Sequence, residues 1–117
     1  MTQVSGAYLA RFMRSTALLA LPSETQAAWL ATLGLPGEPA YADELATEFD
    51  DGVRLLTQFV AAGWLSQDAA GRLMVVDALL DEMSGPDHAN LWTVQALAVA
   101  PEWEAVRVAA RHALLVV

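Results

Sequence analysis

Apolar positions along this chain recur at spacings of three and four, the period at which side chains stack on one face of an α-helix. Tyr8, Leu9, Phe12, Thr16, Leu19 and Ala20 form the first stripe, with Arg11 and Arg14 on another face and Pro22 as its stop. Ser23-Glu24-Thr25-Gln26 has the form of a capping box and predicts a second helix through Trp29 to Leu33. Gly34, Leu35, Pro36, Gly37 and Pro39 then read as a loop, because glycine supplies left-handed φ and proline denies an amide donor. From Tyr41 the stripe resumes through Leu45, Phe49, Leu56, Phe59 and Val60, while Asp50-Asp51-Gly52 predicts two helices meeting near Asp50, the second ending at Gly63.

Ser66, Gln67, Asp68 and Gly71 are turn formers, which places a turn within 65–73 and leaves room for a short hairpin near 64–76. Leu73, Val76, Leu80 and Met83 return to helical spacing, with Gly85-Pro86 as the stop. Asp87 is the expected N-cap of a helix carrying Leu91, Val94 and Ala98. Pro101 suits the first turn of a last helix striped by Trp103, Val106, Ala110 and Leu114. The expectation is an all-α protein, a single compact domain over 1–117 with six or seven short helices and no internal repeat.

Composition supports helix. Ala, Leu and Val supply most of the apolar residues and isoleucine is absent, so strand formers are scarce in a sequence that is 56% hydrophobic. All six basic residues are arginine, and the overall bias is that of a GC-rich bacterial genome. The apolar content excludes a disordered tail, and the absence of cysteine excludes a disulfide scaffold, a thiolate zinc site and a cysteine nucleophile. Charges, prolines or glycines interrupt every apolar run before the roughly eighteen residues of a membrane helix. Arg11 and Arg14 precede a short apolar stretch, Ser15 to Leu21, without a small-x-small cleavage site, so a cytoplasmic protein without membrane contact is expected.

Formal charge is −8 and the isoelectric point is near 4.4, which argues against a protein whose main task is to grip a phosphate backbone. Glu38, Asp43, Glu44, Glu48, Asp50, Asp51, Asp68, Asp77, Asp81, Glu82 and Asp87 are opposed between positions 38 and 87 only by Arg54 and Arg72. Glu44, Glu48 and Asp51 share one face of a helix, and like charges at such spacing cost a few tenths of a kcal/mol per pair. Such a face either solvates the protein or steers it onto a basic partner.

Motifs for chemistry are weak. Asp77, Asp81, Asp87 and His88 have ligand chemistry suited to a metal but match no EF-hand or HExxH spacing. Ser84, Asp87 and His88 lie close in sequence without a nucleophile elbow, and His112 reads as an ordinary helix residue. No catalytic residue, metal or cofactor is assigned, and the protein is expected not to be an enzyme. Of Trp29, Trp64, Trp92 and Trp103, two are expected to serve an interface: Trp64 beside Gly63, and Trp103 with Arg107 and Arg111 below it in position for cation–π stacking.

Two resemblances bear on function. Glu44-Leu45-Ala46, a turn at 50–52, a helix over 53–62 and a turn around Gly71 resemble the order of a winged helix, which implies DNA binding. That recognition helix would offer only Arg54, while Glu44, Glu48 and Asp51 would face phosphates, so nucleic acid is the less favoured partner. In size, charge and helical make-up the chain resembles small acidic immunity proteins encoded beside bacterial toxin genes. The features are Met83-Ser84-Gly85, Leu91-Trp92-Thr93, Ala96-Leu97, Pro101-Glu102-Trp103-Glu104 and Val106-Arg107. This resemblance implies an antitoxin or toxin inhibitor that works by occlusion, and it carries over no site residue. The favoured expectation is a module that sequesters a basic partner protein through Glu44, Glu48, Asp50 and Asp51 with Trp64 and Trp103. The alternatives are a DNA-binding regulator and a self-associating structural subunit.

Overall fold

The structure is a computed structural model, and it describes residues 4–33 and 42–117. Within them the chain folds as α1 (Gly6–Ala20), α2 (Ser23–Thr32), α3 (Glu44–Val53), α4 (Leu56–Ala61) and α5 (Gln67–Glu82). A 3-10 segment (Pro86–Trp92), α6 (Val94–Val99) and α7 (Pro101–Leu114) follow. Four of these close a ring, because α1 packs on α3, α3 on α5, α5 on α7, and α7 back on α1. The helix α2 lies against α3 and α6, and α4 against α5. The all-α expectation holds, and among the described residues there is no strand.

Aromatic packing explains why α1, α3 and α4 meet. The Phe12 ring lies 5.2 Å from that of Phe49 and stacks on Phe59 at 5.8 Å, and all three side chains are buried. Each such side chain contributes roughly 1.5–3 kcal/mol by leaving water. On the other side of the ring, Leu73, Val76 and Leu80 of α5 meet a core that includes Val106, Ala110 and Ala113 of α7. The stripes expected from Leu73 to Met83 and from Trp103 to Ala110 are therefore the buried faces.

Buried polar groups tie α1 to distant elements. At its C-terminus the carbonyls of Leu18 and Leu19 accept from Gln26 Nε2, both at 3.0 Å, and that of Ala20 accepts from Arg111 Nε at 2.9 Å. Gln26 Oε1 accepts in turn from Arg107 Nη1 at 2.9 Å, and Arg107 also donates to the Leu97 carbonyl and to Glu104. An arginine is held inside because its fork of donors meets three acceptors.

Four local expectations are corrected. The capping box over 23–26 does not form: α2 starts at Ser23 with Pro22 in the cap position, and Gln26 is drawn inward to the α1 carbonyls. The helix break falls at Arg54-Leu55 instead of Asp50 to Gly52, because Gly52 is buried in α3 against the Phe12 ring. The hairpin near 64–76 is absent: Ser66 caps α5, its hydroxyl accepting from the Ala69 amide at 3.0 Å, and Gly71 sits inside the helix. The turn formers were a helix start. Asp87 does not cap a long helix either, since Pro86–Trp92 is 3-10 and Thr93 caps the short α6. Gly85, with φ +107°, makes the turn into that segment. The loop expected around 34–39, Tyr41 and Glu38 lie outside the described residues.

Candidate functional site

The ring of helices brings α3 alongside α5, and a groove of about 370 Å³ opens between them. From α3 come Asp50 and Asp51, joined by Asp43 just before its first turn; from α5 come Asp77 and Asp81. Ala46, Phe49, Leu80 and Trp92 supply the apolar lining. The helical period accounts for this placement, because Leu45 and Phe49 turn α3 inward while Asp43 and Asp50 fall on its flank. On α5, Val76 and Leu80 are buried, and Asp77 and Asp81 follow each of them at the groove edge.

The hydrogen-bond character of the groove is one-sided. Thr47 and Ser84 also line it, but their hydroxyl protons are given to the carbonyls of Asp43 and Leu80, each at 3.0 Å. The Trp92 indole N–H is given to the Met83 carbonyl at 2.8 Å. What these side chains leave available is acceptor oxygen. Asp50 is paired with Arg54 at 3.0 Å, an exposed contact of small energetic value, and among the described residues the other four aspartates have no ion-pair partner. Asp77 holds its proton to higher pH than an ordinary aspartate, chiefly because burial disfavours the charge and further because Asp50 and Asp81 are nearby.

The residues selected from sequence divide between this groove and other places. Asp50 and Asp51 belong to it. Glu44 and Glu48 lie on the other flank of α3, where both carboxylate oxygens of Glu48 accept from Arg14 Nη2 at 2.9 Å. The acidic face of α3 is thus partly compensated from α1, contrary to the uncompensated field expected of Glu44, Glu48 and Asp51. Trp64 is 43% exposed at the end of α4, stacked on Phe59 at 6.4 Å, and does not line the groove.

Trp103 is not an interface residue. It is 0% exposed, its indole N–H donates to the Leu91 carbonyl at 2.6 Å, and its ring meets Trp92 edge-on at 5.2 Å. Arg107 and Arg111 are engaged with Glu104, Gln26 and backbone carbonyls, which leaves the expected cation–π stack unformed. The helix period puts Trp103 on the same face as Val106 and Ala110, and that face is the core. Trp92 is the tryptophan that borders the aspartates, a placement invisible in sequence because it depends on the 3-10 turn.

Asp77 and Asp81 do share a face, but His88 lies in a different groove, with Leu79 and Glu102. Among the described residues, no three carboxylates or histidines gather closely enough to hold a metal ion. The turn around Gly71 that would be a wing is part of α5. No described helix is long and apolar enough to cross a membrane. Compared with protein-family models, with curated proteins and with solved structures, the chain matches none.

Proposed function

We propose that this protein is a binding module, not a catalyst, that docks a basic surface of another protein into the groove between α3 and α5. The observation that carries this reading is the convergence of five aspartates, four on α3 and α5 and Asp43 just before α3, on a groove whose neighbouring hydroxyls and indole have already given away their protons. A donor-rich cation, arginine or lysine on a partner, complements such a surface, and the partly exposed Ala46 and Trp92 offer apolar contact to its methylene stem. Occlusion follows from position: a partner whose basic residues are held by these carboxylates has them withheld from phosphates. An immunity-type or antitoxin role in the cytoplasm is the biological form that fits an acidic protein of this kind.

The test is capture of partners from a lysate of the source cells on the immobilised protein, with Asp51→Asn/Asp77→Asn/Asp81→Asn run in parallel. The expected result is a basic protein retained at low salt, released at about 0.5 M salt, and lost with the triple variant. Equal retention by both forms overturns the assignment of the groove.

A further inference from the structure

Asp43, Asp50 and Asp51 on one wall of the acidic groove face Asp77 and Asp81 on the other, and among the described residues only Arg54, paired with Asp50, is set against them. The helices α4 and α7, also packed on α5, add no side chain to this groove. Like charges across a groove push its walls apart. Phe49 and Leu80, both buried, draw α3 and α5 together beneath it. Among the described residues, however, no hydrogen bond or ion pair runs directly from α3 to α5.

Polar bonds to both walls meet instead in one residue of the 3-10 segment. The Trp92 carbonyl accepts from the amide of Ala42, two residues ahead of α3, at 3.1 Å. Its indole N–H donates at 2.8 Å to the carbonyl of Met83, directly after α5, and so satisfies an acceptor that the helix end leaves open. The ring meets the buried Trp103 edge-on at 5.2 Å, which fixes the direction in which the indole points. Trp92 is itself partly exposed and lines the groove, where its bulk takes space that water would otherwise fill beside the aspartates.

We infer that Trp92 is the positioning residue of the groove: it ties the start of α3 to the end of α5 and so sets how closely the aspartates of the two helices stand. What that spacing serves rests on the proposed docking of a basic partner, because closer acidic walls offer a denser field to an arginine or lysine. The spacing itself is a property of the free protein.

A carbon-13 NMR titration of the side-chain carboxyls in the full chain reads the spacing with no partner present. Asp77 of the parent is expected to titrate above the ordinary aspartate value of 3.8, since burial and then Asp50 and Asp81 disfavour its charge. Trp92→Leu removes both the indole N–H and the ring, and its Asp77 is expected to fall toward 3.8. Trp92→Phe keeps a ring against Trp103 and loses only the N–H bond, so its Asp77 is expected to fall less. Glu104 on α7 is the internal reference: its hydrogen bond from Arg107 holds it below 4.5, and it is expected to stay there in both variants. An Asp77 unmoved in Trp92→Leu overturns the inference, as does a Glu104 that rises in both variants, which marks a general loosening. Calorimetry with a hexa-arginine peptide at low salt is expected to show Trp92→Leu binding at least about threefold more weakly than the parent. Equal affinity beside a lowered Asp77 overturns the part of Trp92 in docking. A parent that does not bind the peptide counts against the docking reading, while the titration decides the tie between α3 and α5 by itself.

Discussion

Gly52 shows how one residue decides a helix junction. A β-carbon added there would stand 2.6 Å from Phe12 Cγ and 2.8 Å from Phe12 Cβ, distances that no real side chain tolerates. The absent side chain lets α1 and α3 approach closely enough for Phe12 to reach both Phe49 and Phe59. In sequence the same glycine, following two aspartates, reads as a break, because propensity sees its entropy cost and not the ring beneath it. Gly52→Ala is expected to lower unfolding stability by about 1–3 kcal/mol despite its better helix propensity, measured by urea denaturation. In a Phe12→Ala background the added cost of Gly52→Ala should fall, since the Cγ and Cδ1 atoms that the new methyl group meets most closely are gone. Trp103 and Gln26 teach the related lesson that a polar atom on a side chain does not place it at the surface. Each is buried because its N–H groups reach backbone carbonyls left open by a 3-10 turn or a helix end.

Elements were legible where their stripe was long. The apolar spacing of Leu73, Val76, Leu80 and Met83 identifies the buried face of α5, and that of Phe12, Thr16 and Leu19 the buried face of α1. Their boundaries were less so, since serine, aspartate and glycine serve both turns and helix starts. Ser66 is the case in point: its hydroxyl satisfies an otherwise open amide of α5, and Asp68 in the first turn suits the positive end of the helix dipole. Ser66→Ala is expected to cost about 1 kcal/mol, read as a lower urea midpoint with unchanged slope. Thr93 has the same role for α6, a helix of six residues that owes its existence to packing on α2 and α7 more than to its own length.

At the scale of the whole molecule, the acidic charge is organised by which helices the ring makes neighbours. Burial and the nearby Asp50 and Asp81 make the folded protein hold the Asp77 proton more tightly than the unfolded chain does. The ionised carboxylate therefore costs stability at neutral pH, and that cost disappears as pH falls through the raised pKa. Asp77→Asn is accordingly expected to be more stable than the parent at pH 7, with the difference closing by pH 3.8, the ordinary aspartate value, in denaturation curves taken along the pH range. Glu104 runs the other way: its hydrogen bond from Arg107 holds its pKa down, so its contribution is present above pH 4.5 and lost as pH falls. It is common to both proteins and cancels in their difference. By itself, the sequence determined the all-α class, the inward faces of the long helices and the concentration of acid in the middle of the chain. These are set by periodicity and composition, which act along a single helix. Only the tertiary structure decided that Asp50 and Asp51 stand across from Asp77 and Asp81, that Glu48 is spent on Arg14, and that Trp92 and not Trp103 borders the groove. Each of those depends on which helices pack together, and packing is chosen by the fit of side chains far apart in sequence, as when Phe12 meets Gly52 or Arg107 meets Gln26.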